Sequence, residues 1–191
     1  MYWIHEDVDY PQNSAIMRAG MDGSHMELLT LRPKAKAELD LVVDHASRFL
    51  FWVEPTDLIP KEQNSWEILR SNMDGGNVTK VIRLREKPTR IHIVGDRLFW
   101  TRTGDTFVTG CDKETGNNLK AHDWHHSSES ADHLIIVSSK PLSDRPERHP
   151  CSFSQLCSHI CVPTPAGYMR CLCPPGYRLM PDGWTCGLKL I

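Results

Sequence analysis

No run of about 18 apolar residues occurs in this 191-residue chain, so no segment reads as a membrane-spanning helix. The start, Met1-Tyr2-Trp3, shows no basic region, apolar stretch or small-residue cleavage site, so no signal peptide is visible. Charge of one sign is lacking too: 22 Lys and Arg stand against 24 Asp and Glu, for a net charge of -2 and a pI near 6.5. That balance gives no electrostatic reason to expect nucleic acid or an anionic membrane as partner. The chain has no G-x-S-x-G elbow, phosphate loop, H-E-x-x-H run or paired-carboxylate motif, so no catalytic residue, cofactor or metal is expected. No stretch keeps helical periodicity over three turns, which argues against a helical array. Cysteine is nearly absent from the first 150 residues, where Cys111 stands alone.

The other six cysteines fall between Cys151 and Cys186 in the order C-x5-C-x3-C-x9-C-x-C-x12-C. A module of about 40 residues cannot bury enough apolar surface to hold itself together, and disulfides are the usual replacement for the missing core. A zinc knot built on Cys157, His159 and Cys161 is the competing reading, but the tight Cys171-Leu172-Cys173 pair does not suit structural zinc spacing. Six half-cystines allow fifteen pairings, and spacing does not choose among them. Structural disulfides imply secretory or extracellular space. With no signal peptide visible, the expectation is a piece of a longer secreted or membrane-anchored protein.

The region before this cluster repeats. Ile16, Arg18, Met21, Asp22 and Gly23 recur 52 residues later as Ile68, Arg70, Met73, Asp74 and Gly75, and aromatic-Trp pairs stand at Tyr2-Trp3, Phe51-Trp52 and Phe99-Trp100. A third, weaker turn runs from Cys111 and Asp112 to Gly116. Short runs rich in β-branched and aromatic residues, bounded by Asp, Gly and Asn, read as strands. They are expected near 39–44, 49–54, 66–72 and 77–84, and again near 90–94, 98–102, 106–111 and 118–123. The first unit lacks an opening strand, and a further strand is expected at 133–138. Four antiparallel strands per 40–50 residues is the make-up of a propeller blade.

The aromatic-Trp strand, the Ile-x-Arg-x-x-x-Asp-Gly strand and turn, and the cysteine module that follows resemble the low-density-lipoprotein receptor and its related proteins. In that family a Tyr-Trp-Thr-Asp repeat builds six-bladed propellers, with an epidermal-growth-factor-like module packed beneath. The resemblance implies an all-β fold: about three blades of such a propeller, incomplete, over 1–140 as its second half, a Pro-rich linker at 141–150, and an EGF-like module at 151–187. It also implies the pairs Cys151 with Cys161, Cys157 with Cys171, and Cys173 with Cys186. The tetrapeptide is degenerate here, reading Tyr2-Trp3-Ile4-His5, Phe51-Trp52-Val53-Glu54 and Phe99-Trp100-Thr101-Arg102. Its closing Asp is lost each time. Half a ring leaves open sheet flanks, an aggregation hazard in a free polypeptide.

Trp3, Trp52 and Trp100 share one repeated position and are expected to pack between neighbouring sheets. Trp66, Trp124 and Trp184 lie outside that register and are better candidates for contact residues. Cys111, aligned on the turn with Met21 and Met73, reads as a small buried hydrophobe, the alternative being a bridge to a cysteine beyond this chain. Asn77-Val78-Thr79 is a glycosylation sequon after a turn. His122, His125, His126 and His133 cluster in sequence; no metal motif includes them, and they are candidate pH sensors, because His changes charge between about pH 5 and 8. The module lacks the acidic ligands that calcium needs, so none is expected.

Together these readings predict a non-enzymatic extracellular fragment that binds a protein ligand. The resemblance places it in the ectodomain of a single-pass endocytic receptor or Wnt co-receptor, at the cell surface, held to the membrane only by an anchor outside this fragment. It also implies that the EGF-like module packs against the propeller. A matrix adaptor of the nidogen kind and a growth-factor precursor are the alternatives.

Overall fold

The computed structural model describes residues 1–5, 14–32, 40–56, 65–102, 104–105, 107–123 and 150–189. Strands β1 (Tyr2–His5), β2 (Ser14–Arg18) and β3 (Glu27–Arg32) form a three-stranded sheet in chain order. The second sheet is β4 (Leu41–Asp44), β5 (Phe49–Pro55), β6 (Trp66–Asn72) and β7 (Thr79–Leu84). The third is β8 (Arg90–Val94), β9 (Arg97–Thr101), β10 (Phe107–Asp112) and β11 (Lys120–Asp123). Both four-stranded sheets are antiparallel meanders in chain order, and the first sheet has three strands among the described residues. The expected strand at 133–138 and the linker up to 149 lie outside the described residues.

Sequence periodicity accounts for the layering. In β5 the side chains of Leu50 and Trp52 point to one face and those of Phe51 and Val53 to the other. All four are at most 1% exposed. A strand buried on both faces reads as a continuous apolar run rather than an alternating one, which is what Phe49 to Val53 shows. Phe51, Val53, Ile68 and Val81 of the second sheet share one core with Ile91, Leu98, Trp100 and Cys111 of the third. Burying each large apolar side chain contributes about 1.5–3 kcal/mol, so this shared layer makes two sheets, each too small alone, into one body.

The chain divides into two compact units. One comprises residues 3–16 and 28–139, and holds the second and third sheets; the other comprises 1–2, 17–27 and 140–191. In the latter the cysteine-rich segment has a 3-10 helix (Pro150–Leu156) and two hairpins, β12 (Ile160–Pro163) with β13 (Met169–Leu172) and β14 (Tyr177–Leu179) with β15 (Cys186–Leu188). Its disulfides join Cys151 to Cys161, Cys157 to Cys171 and Cys173 to Cys186. Among its described residues only Cys157, Val162 and Cys171 are buried hydrophobics. Cross-links, at roughly 2–4 kcal/mol each, therefore carry the stability that a core carries elsewhere in the chain.

Candidate interaction surface

Two carboxylates of the second sheet reach into the third. Asp40 accepts a hydrogen bond from the Ile91 backbone amide at 2.7 Å and one from Arg90 at 3.3 Å. Asp44, at the far end of β4, accepts from Lys113 Nζ at 2.7 Å, and the same ammonium donates to Ser47 Oγ and to the Gly95 carbonyl, each at 2.8 Å. Three acceptors satisfy the three donors of the ammonium. The Lys113 and Asp44 side chains are 4% and 6% exposed. Burial alone would push Asp44 up, but the Lys113 ammonium and the Ser47 amide outweigh it and hold the carboxyl below the ordinary carboxylate range.

The turns explain the repeated glycine. A Cβ on Gly75 would lie 2.7 Å from the Leu29 carbonyl oxygen, and one on Gly116 would lie 2.2 Å from the Val81 carbonyl oxygen; both residues also have positive φ, 81° and 70°. Each turn thus rests on the outer strand of the preceding sheet, at a distance no side chain permits. The hydrogen bonds also correct the sequence alignment of the third turn. Asn72 N donates to Gly76 O, as Asp112 N donates to Asn117 O, and Gly20 N to Ser24 O. Asp112 therefore corresponds to Gly20 and Asn72, and Lys113 to Met21 and Met73. Cys111 falls in register with Ala19 and Ser71, all three buried, and not with the methionines. One extra residue before Gly116 hid this register in the sequence.

A groove of about 340 Å³ lies between the edge of the second sheet and the outer half of the third. Leu84, Trp100, Thr109, Leu119 and Ala121 line it. Trp100, Thr109 and Ala121 are direct neighbours across β9, β10 and β11. At the rim, Arg102 donates to Asp105 at 2.6 Å and to Glu86 at 3.0 Å, and it lies over the Phe107 ring.

The residues singled out from sequence are scattered. Trp52 and Trp100 are buried at 1% and 3% exposure. Trp3 is half-buried, as is Trp66, whose ring lies 5.6 Å from Lys87 Nζ. Trp184 is 43% exposed. Asn77 is exposed in the β6–β7 turn with a φ of 55°, and Thr79 of its sequon accepts a hydrogen bond from Arg70 Nε. His122 is exposed on β11; His125, His126 and His133 lie outside the described residues, as does Trp124. Cys111 is free and buried, and burial pushes its thiol up to about 11. In the unit that holds the cysteine-rich segment, Arg170 of β13 pairs with Asp22 at 3.5 Å, and Pro165 lies against Gly20. The cystine-stapled hairpin thus meets the first Asp-Gly turn. Sequence reasoning missed Asp40, Asp44, Lys113 and the groove.

A family model described as the coagulation factor Xa inhibitory site matches residues 154–186. Low-density lipoprotein receptor-related protein 5 of Mus musculus is 29% identical over 181 residues, 90% of this chain and 10% of that protein, and the Homo sapiens protein of the same name matches equally. Low-density lipoprotein receptor-related protein 4 of Homo sapiens is 26% identical over 76% of this chain and 7% of its own length. The chain thus spans about a tenth of the curated relatives it matches. A solved structure described as the Nidogen/Laminin complex aligns at a TM-score of 0.47 and 18% identity, over 63% of this chain and 42% of that one. The described residues form blade-like sheets and an EGF-like, disulfide-bonded module. More particularly, the resemblance to the low-density-lipoprotein receptor family extends along most of the chain.

Proposed function

We propose that this chain is a non-enzymatic, ligand-contacting segment of an endocytic receptor or Wnt co-receptor ectodomain, held at the cell surface by an anchor outside it. The observation that supports the reading is the presence in one chain of blade-like sheets, locked by a shared core and two carboxylate bridges, and of a cystine-stapled module. The paired second and third sheets are a braced platform whose buried polar residues, Asp44 and Lys113, are spent on structure. What it offers a partner is surface.

Asn77 carries an N-linked glycan on the exposed turn in this reading, and exposed His122, with His125, His126 and His133, is the candidate pH-sensing group. Live, unpermeabilised cells making the full-length protein should be labelled by antibody to the cysteine-rich segment and take the antibody up on warming. Labelling of matrix alone would favour a nidogen-type adaptor, and release of a module that activates a receptor kinase would favour a growth-factor precursor. Either result sinks the receptor reading. Unchanged release of bound ligand at about pH 5.5 after joint replacement of the four His would remove the pH-sensing role.

A further inference from the structure

The groove between the second and third sheets is carved by particular residues of the third. On the second sheet the positions equivalent to Thr109 and Ala121 are Leu69 and Lys80, which pair with each other across β6 and β7 just as Thr109 pairs with Ala121 across β10 and β11. Both side chains are shorter in the third sheet, where they line the groove beside Trp100, itself only 3% exposed. The volume of about 340 Å³ falls in the range of ligand sites, roughly 300–1,000 Å³. One wall is open, since Ala121 is exposed and Leu119 is 58% exposed. A small molecule is normally enclosed over most of its surface, so an open-walled groove suits a segment of chain that enters and leaves.

The rim sets the charge of that segment. Arg102 is neutralised by Glu86 and Asp105, which also takes the negative charge of Glu86 out of play. Arg85 remains, exposed at the groove and without an ion pair among the described residues. An anchor of aromatic or aliphatic type in a pocket, with a charge pair at its edge, is the arrangement that concentrates binding energy in few residues.

We propose that this groove seats a peptide segment of a protein ligand, with a bulky apolar side chain between Leu84 and Leu119 and a neighbouring carboxylate paired with Arg85. This deepens the ligand-contacting reading, and its test needs neither a membrane anchor nor endocytosis.

A phage library of random linear heptapeptides selected on the secreted full chain is the probe. Enriched peptides should share an apolar residue beside Asp or Glu. Binding should fall at least about tenfold with Leu119→Asp and with Arg85→Glu, both on exposed side chains, and stay unchanged with Arg178→Glu on the cysteine-rich segment. The double variant Thr109→Leu, Ala121→Lys installs the residues that the second sheet already accommodates, and should abolish binding with its far-ultraviolet spectrum and disulfide content preserved. Absence of an apolar-acidic consensus, or binding within twofold of the parent in the double variant, overturns the proposal. So does dissociation of a dimer of the chain by Leu119→Asp, which would make the occupant a second copy. Failure of the groove would leave the surface-labelling experiment untouched, so the two readings fall separately.

Discussion

The second and third sheets share strand number, order and register, yet they differ where their turns and outer strands carry single substitutions. The second has Met73 where the third has Lys113; the second has Asp44 where the third, with a turn two residues shorter, has Val94 paired to Arg97. The second has Leu69 and Lys80 where the third has Thr109 and Ala121. The repeat therefore specifies the scaffold through apolar strand residues and turn glycines, while individuality lies in what fills the ends and edges. Buried polar contacts placed this way can fix which sheet follows which, since Lys113 finds its acceptors only against a sheet that ends β4 in Asp44.

Removing Lys113 should have the largest effect. Lys113→Ala leaves the Asp44 carboxylate buried without its cation, a loss of about 3–5 kcal/mol, measured as a shift of the urea midpoint. The double variant Asp44→Val, Lys113→Met places at these positions the residue types that stand at Val94 and Met73, and should recover most of that loss, because an apolar pair of similar volume is often neutral against a buried ion pair. A double variant no more stable than Lys113→Ala would show that the bridge itself, and not the unpaired charge, governs the interface.

Turn glycines separate next. Gly116→Ala meets both a positive φ and the Val81 carbonyl, and should cost about 1–3 kcal/mol or more. Gly23→Ala has a φ of 79° but no atom of the described residues within 4 Å of its Cβ, so only the backbone term applies, about 1 kcal/mol. Equal losses at the two sites, by thermal or urea unfolding, would mean that the close approach to the outer strand adds nothing.

Acid should leave the bridge intact until well below the pH of an endosome. The Asp44 pKa is depressed in the folded state from an ordinary value of 3.8, so the stability it contributes is fully present above that value and is lost as pH falls through the lower folded one. The difference in urea midpoint between the parent chain and the Asp44→Val, Lys113→Met variant should be flat from pH 7 to about pH 4.5 and change only below about pH 4. A change between pH 6 and 5 would point to a histidine, not to this pair.

How much of this was legible beforehand follows the kind of force involved. Strand positions in the second and third sheets were readable because alternation and apolar runs are local, and Phe49 to Val53 fixes its own burial on two faces. The cysteine spacing alone was compatible with fifteen pairings, and it took the resemblance to select one. Asp40, Asp44 and Lys113 were not legible, because their partners lie 51 and 69 residues away and nothing local marks a carboxylate as shared between sheets. The groove was invisible for a related reason: it is lined by Leu84 of one sheet and by Trp100, Thr109 and Ala121 of the other, and small residues on an outer strand carry no signal until their neighbours are placed. The third turn was misaligned by a single inserted residue.

Cys111 offers the smallest and most direct test of that corrected register. If it stands with Ala19 and Ser71, a small side chain suffices, and Cys111→Ala should cost about 1 kcal/mol, within the range for loss of a single buried heavy atom. Had it stood with Met21 and Met73, the position would tolerate a long side chain, and Cys111→Met would be the mild change. In the register seen here Cys111 is fully buried beside Leu98 and Trp100, so Met must displace packed core and should cost clearly more than Ala, by about 1–3 kcal/mol. The thiol gives an independent readout: pushed up to about 11 and closed to solvent, it should resist alkylation by iodoacetamide at pH 8 in the folded chain and react promptly in urea. Rapid labelling without denaturant, or a stable Cys111→Met variant, would return the residue to the turn and undo the alignment on which the comparison of the two sheets rests.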